Sequence, residues 1–191
     1  MACFLDTTPF GCLLNAVGKK QLPPEVLGET LLSPITALES AQHRGKLGIL
    51  RDHSRYLRPL VSRFIGNPAA FDDFLRALSM ESPNYFRGML DALHARCVMY
   101  EPFMRFHLSR YEKHPPKGIG DSQRLNSDVR DSMQLIISQE VPFITCDLDL
   151  RRKSSPLLQC QVIHSDPDVN SVIAAMRFAN LGWLTADKVH S

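Results

Sequence analysis

Apolar residues recur at helical spacing along most of the chain. Phe10, Leu13, Leu14 and Val17 follow Thr8-Pro9 and precede Gly18, which predicts a short helix with proline in its first turn and glycine at its end. Pro23-Pro24 opens a second helix carrying Val26, Leu27, Leu31 and Leu32, and Pro34 restarts the chain into a turn with Ile35 and Leu38. The strongest periodicity follows Ser82-Pro83, where Phe86, Met89, Leu90, Leu93, Cys97 and Tyr100 share one face. Helices from Asn67-Pro68, with Phe71, Phe74, Leu75 and Leu78, and after Pro102, with Phe103, Phe106 and Tyr111, flank it, so the core is expected over 68–111.

Two prolines and two glycines within residues 113–122 exclude a regular element and predict a flexible loop. A helix from about Asn126 to Gln139 places Val129, Met133, Ile136 and Ile137 inward. The period then changes to two. Ile144, Cys146, Leu148 and Leu150 alternate with Thr145, Asp147 and Asp149, and Leu158, Cys160 and Val162 alternate with Gln159 and Gln161, which predicts an antiparallel hairpin closed about Lys153. Ser165-Asp166-Pro167-Asp168 caps a last helix that Gly182 ends. The expected fold class is mainly α (α+β): a helical domain with a small C-terminal antiparallel β-hairpin and a terminal helix. Residues 1–112 form the helical region, 113–122 the loop, and 123–191 pack back on the first region as one domain.

Composition fits that picture, since 44% hydrophobic and 22% charged residues are ordinary for a globular domain and argue against wholesale disorder. Charge changes it more. The net +2 divides unevenly: residues 44–130 hold fifteen basic and nine acidic side chains, a net of +6, while each end is about −2. Five scattered cysteines do not form a secreted disulfide pattern, the first twenty residues have the wrong charge order for a secretory signal, and no apolar run reaches membrane-span length. The expected location is the cytoplasm or nucleus.

No constellation of residues announces a chemistry. Cys97 has His94 three positions back, but lies on the apolar stripe of its helix, where a thiol packs as a small hydrophobe. The seven histidines form no H-x-x-x-H pair and the cysteines no C-x-x-C pair, so no metal site is expected. Asp147 and Asp149 form a D-x-D pair, read as solubilising charges on the wet face of the hairpin. Phosphate-cradling and nucleophile-elbow glycine motifs are absent. Neither catalytic residues nor a cofactor are assigned.

Two binding features remain. In residues 43–64 Arg44, Lys46, Arg51, Arg55, Arg58 and Arg63 face a single acid, Asp52, and at helical spacing Arg51, Arg55 and Arg58 share a face with Tyr56 close by. That density suits phosphate contacts to a nucleic acid, and suits equally a solvated face on a helix packed through Leu50, Leu57, Val61 and Phe64. Residues 22–38 resemble the opening of an F-box, with Leu22, Pro23, Glu25, Val26, Leu27 and Leu31 in the first-helix pattern and Pro34, Ile35 and Leu38 in the restart. The pattern breaks afterwards at Gln42-His43-Arg44-Gly45 and Gly48. The resemblance implies an adaptor that docks a Skp-type subunit of a cullin ubiquitin ligase and holds a substrate with the rest of the chain. The expected function is non-enzymatic protein–protein contact, with nucleic-acid binding through 44–63 as the alternative.

Overall fold

Cys3-Phe4-Leu5 is fully buried and extended, too short and too apolar to show the alternation of a half-wet strand. The computed structural model describes residues 3–43, 45–60, 83–99, 101, 105, 112, 129–138, 141–150 and 161–186. Within them, strand β1 (Cys3–Leu5) is followed by helix α1 (Thr7–Gly18), a 3-10 turn (Pro24–Glu29), β2 (Thr30–Leu31), α2 (Pro34–Ala41) and α3 (Lys46–Asp52). Helix α4 (Pro83–Val98), a helix α5 over 129–137, β3 (Phe143–Thr145), β4 (Val162–His164) and α6 (Val169–Ala186) complete the order.

The strands form one four-stranded, all-parallel sheet in the order β2-β1-β3-β4. The expected fold class is corrected by this pairing. The architecture is α/β, and the antiparallel hairpin does not form. Thr145 pairs with His164 in parallel register, and parallel neighbours need a crossover that a tight turn about Lys153 cannot provide. The alternation that suggested a strand over 144–150 ends at Thr145, because Asp147 turns the chain. Its Oδ1 accepts the backbone N–H groups of Asp149 and Leu150 at 2.7 and 3.2 Å, capping a helical turn at Leu148.

Alternate strand residues feed two cores, one on each face of the sheet. Cys3, Leu5 and Ile144 pack with Phe10, Leu13, Leu14 and Val17 of α1, Leu50 of α3, and Val172 and Met176 of α6. Phe4 and Phe143 pack with Ile35 of α2, Leu93 and Cys97 of α4, and Met133, Ile136 and Ile137 of α5. The two phenylalanines sit side by side in register with ring centroids 5.0 Å apart.

Local details differ from the sequence expectations in instructive ways. Helix α1 is capped by Asp6, and its end is turned by Lys20, in the left-handed region at φ 59°, one residue past the Lys19 C-cap. Gly18 serves close packing instead, since a Cβ there would meet Ile49 Cδ1 at 2.6 Å. The expected helix from Pro24 is only a 3-10 turn, because Thr30 and Leu31 pair with Cys3 and Phe4 as the next strand. Pro34 starts α2, as the restart predicts, and Ser33 caps it. Helix α6 continues through Gly182 to Ala186. The helix expected from Asn67-Pro68, all but residues 105 and 112 of the one expected after Pro102, the 113–122 loop, and Cys160 lie outside the described residues.

Candidate functional site

In an open parallel sheet the strand ends leave a crevice at their carboxyl edge where the chain order reverses, and β1 is the strand from which the order departs in both directions. The first residue after β1 is Asp6. On the neighbouring strand Thr145 occupies the equivalent end position, and its hydroxyl donates to Asp6 Oδ2 at 2.8 Å. Asp6 Oδ1 accepts the Thr7 backbone N–H at 2.7 Å and the Gln134 Nε2 amide at 3.3 Å.

Helix α2 brings a second carboxylate. Ser33 Oγ accepts the Thr36 N–H at 3.1 Å, fixing the first turn, and three residues further along the same face Glu39 accepts the hydroxyl of Thr7. Helix α5 contributes Gln134 and, one turn earlier, Arg130, whose Nη1 lies 3.6 Å from Glu39 Oε1. Lys46, at the start of α3, reaches over Gly11 and Cys12 on the first turns of α1, so a second cation borders this edge.

Desolvation pushes the Asp6 carboxyl above the usual carboxylate range. Donors from Thr145 and Thr7 pull it back in part, and the negative charge of Glu39 raises it further. Asp6 and Glu39 both keep part of their surface accessible. The edge is thus a polar floor with two converging carboxylates and two cations on its rim. Among the described residues no group of three or more His, Cys, Asp or Glu side chains is placed to enclose a metal ion.

Apart from Lys46, the described residues singled out from the sequence lie elsewhere. Of the F-box-like set, Leu27 is fully buried, Leu31 belongs to β2, Leu22, Val26 and Leu38 are half-buried against the protein's own core, and Pro34 is half-buried. Pro23 and Glu25 are exposed. Of the basic set, Arg44 and Arg63 lie outside the described residues. Arg55 stacks 4.7 Å over the Tyr56 ring, Tyr56 donates to Glu25 at 3.0 Å, and Arg58 donates to the Gly28 carbonyl at 3.1 Å. Gly28 and Glu25 precede β2, so this group decorates the amino edge of the sheet, opposite Asp6. Arg51 is half-buried on α3. Of the described residues of that set, only Lys46 borders the carboxyl edge.

The site residues Asp6, Thr7, Thr36, Glu39, Arg130, Gln134 and Thr145 were not prominent in the sequence, because they are spread over 140 positions and share no spacing. One signal was present: short apolar runs, Cys-Phe-Leu and Phe-Ile, each end in a polar residue, Asp6 and Thr145, that folding places side by side. Cys97 is buried with its thiol pushed up to about 11 by desolvation, and His94 is exposed, so that pair offers no activated nucleophile. Among the described residues no helix is long and apolar enough to cross a membrane. No protein-family model matches the chain, and neither a curated protein nor a solved structure with significant similarity to it was found.

Proposed function

We propose that the carboxyl edge of the sheet holds a divalent cation between Asp6 and Glu39, and that the protein uses it to hydrolyse phosphodiester bonds of a nucleic acid. The observation that carries this reading is the convergence of the two carboxylates from separate elements, tied together through Thr7. Mg²⁺ needs no closed cage. It keeps several waters and is held through one or two carboxylates plus the phosphates of its substrate, which agrees with two acids and open surface. Held there by Asp6 and Glu39, such an ion would polarise a phosphoryl oxygen, orient the attacking water and neutralise the charge on the leaving oxygen. Two acids alone would repel a phosphate, so Lys46 and Arg130 on the rim complement the arrangement. The net +6 of residues 44–130 favours a polyanion as substrate over a small phosphate ester.

The test is cleavage of end-labelled single-stranded RNA and DNA oligonucleotides by the full chain, with Mg²⁺, with Mn²⁺ and with a chelator. Cation-dependent cleavage is expected in the wild type, reduced about a hundredfold or more in both Asp6→Asn and Glu39→Gln, the scale of losing a group that holds transition-state charge. Oligonucleotide binding without cleavage under every metal condition, unchanged in Asp6→Asn, would return the chain to a binding role.

A further inference from the structure

Three polar side chains behind the site are almost completely buried: Ser33 and Thr36 at 0% exposure and Gln134 at 1%. Gln134 interrupts the apolar face that Met133, Ile136 and Ile137 build on α5, a place where an amide costs free energy unless every polar atom is matched. Its atoms are matched in one direction. Ser33 Oγ donates to Thr36 Oγ1 at 3.2 Å, Thr36 Oγ1 donates to Gln134 Oε1 at 3.0 Å, and Gln134 Nε2 donates to Asp6 Oδ1 at 3.3 Å. Turning the amide over would set its oxygen against the Asp6 carboxylate, acceptor against acceptor. It would also leave the Thr36 hydroxyl only the Leu5 carbonyl, at 3.3 Å, to donate to.

We infer that Gln134 is a positioning residue: the chain Ser33–Thr36–Gln134 locks the Asp6 carboxylate in a single orientation, with Oδ1 held by Gln134 and Thr7 and capacity left on Oδ2 beside the Thr145 hydroxyl. The inference rests on the cation reading above for its consequence, which is that the ion meets a carboxylate already oriented. Gln134 does not touch the ion itself. It acts through Asp6, and Thr36 acts through Gln134, so the effects of their loss are graded.

The experiment uses the full chain and compares wild type, Gln134→Met, Thr36→Val and Asp6→Asn, with thermal melting to confirm folding and Gln134→Asn as a second variant if Gln134→Met does not fold. Nitrogen-edited NMR of the Gln134 side-chain amide is expected to show two separate, slowly exchanging protons in the wild type, and fast exchange in Thr36→Val. Manganese titration is expected to show affinity weakened about tenfold in Gln134→Met or Gln134→Asn and less in Thr36→Val, the size expected for losing one hydrogen bond to a charged group. On a labelled oligonucleotide kcat falls while KM stays, a split that a packing role would not produce. A fast-exchanging amide in the wild type, or unchanged manganese affinity in Gln134→Met with loss in Asp6→Asn, would overturn the inference. A wild type that binds no manganese while the amide protons remain protected supports the lock on Asp6 and refutes the cation reading instead.

Discussion

Thr145 donates its hydroxyl to Asp6 across 2.8 Å, joining the carboxyl ends of two neighbouring parallel strands that lie 139 residues apart in sequence. The same oxygen accepts the Asp147 N–H at 3.0 Å, so one side chain both steadies the acid and turns the chain after β3. Thr145→Val keeps the shape and removes both roles. It is expected to cost about 1–3 kcal/mol of stability, because Asp6 and the Asp147 N–H each lose a buried partner. Chemical denaturation of the purified variant measures this, and a loss below a few tenths of a kcal/mol contradicts it.

Asp6 has a carboxyl raised by burial, and the sign of its linkage follows. Its protonated form is favoured in the folded state, so its contribution is fully present below the ordinary carboxylate value and is lost as pH rises through the raised one. At neutral pH the uncharged Asp6→Asn is therefore expected to melt higher than the wild type, the usual trade between stability and a functional charge. The difference should shrink as pH falls below the carboxylate range. Equal melting at neutral pH counts against it.

The two groups of cations predict different salt behaviour. Lys46→Ala and Arg130→Ala, at the carboxyl edge, are each expected to flatten the log–log dependence of oligonucleotide affinity on salt by about one unit or less. Arg55→Ala with Arg58→Ala, on the amino edge, is expected to leave that slope unchanged. The reverse result would move the nucleic-acid surface to the edge that the basic stretch first suggested.

Phe143 is wholly buried against Phe4 at the centre of the sheet. Phe143→Ala is expected to cost about 3–5 kcal/mol, enough to unfold a domain of ordinary stability. Loss of soluble protein or of a cooperative melt is the readout.

The thiols should resist modification in the native state. Desolvation pushes Cys3 up to about 12 and Cys97 up to about 11. At about pH 8 their thiolate fractions are on the order of one in ten thousand and one in a thousand. Alkylation followed by peptide mapping should leave both unlabelled until denaturant is added, while Cys12 and Cys146, half-buried, react first.

Several helices among the described residues were legible from pattern alone. Pro34 after Ser33 starts α2, Pro83 starts α4 with Leu93 and Cys97 inward, and Met133, Ile136 and Ile137 face the core from α5, because a helix satisfies its own backbone and needs only a periodic apolar stripe. The sheet was not legible. Strands of two or three residues buried on both faces, such as Cys3–Leu5, have no period to detect, and parallel pairing joins segments through long crossovers rather than local turns. Asp147 ended the first of the two stretches whose alternation looked like a strand. Composition determined that a globular core would form and where the positive charge would lie along the chain. Only the tertiary structure decided that Asp6, Glu39, Gln134 and Thr145 meet at one edge, since hydrogen bonds between residues some 30 to 140 positions apart follow from which strand lies beside which, and sequence spacing carries no record of that.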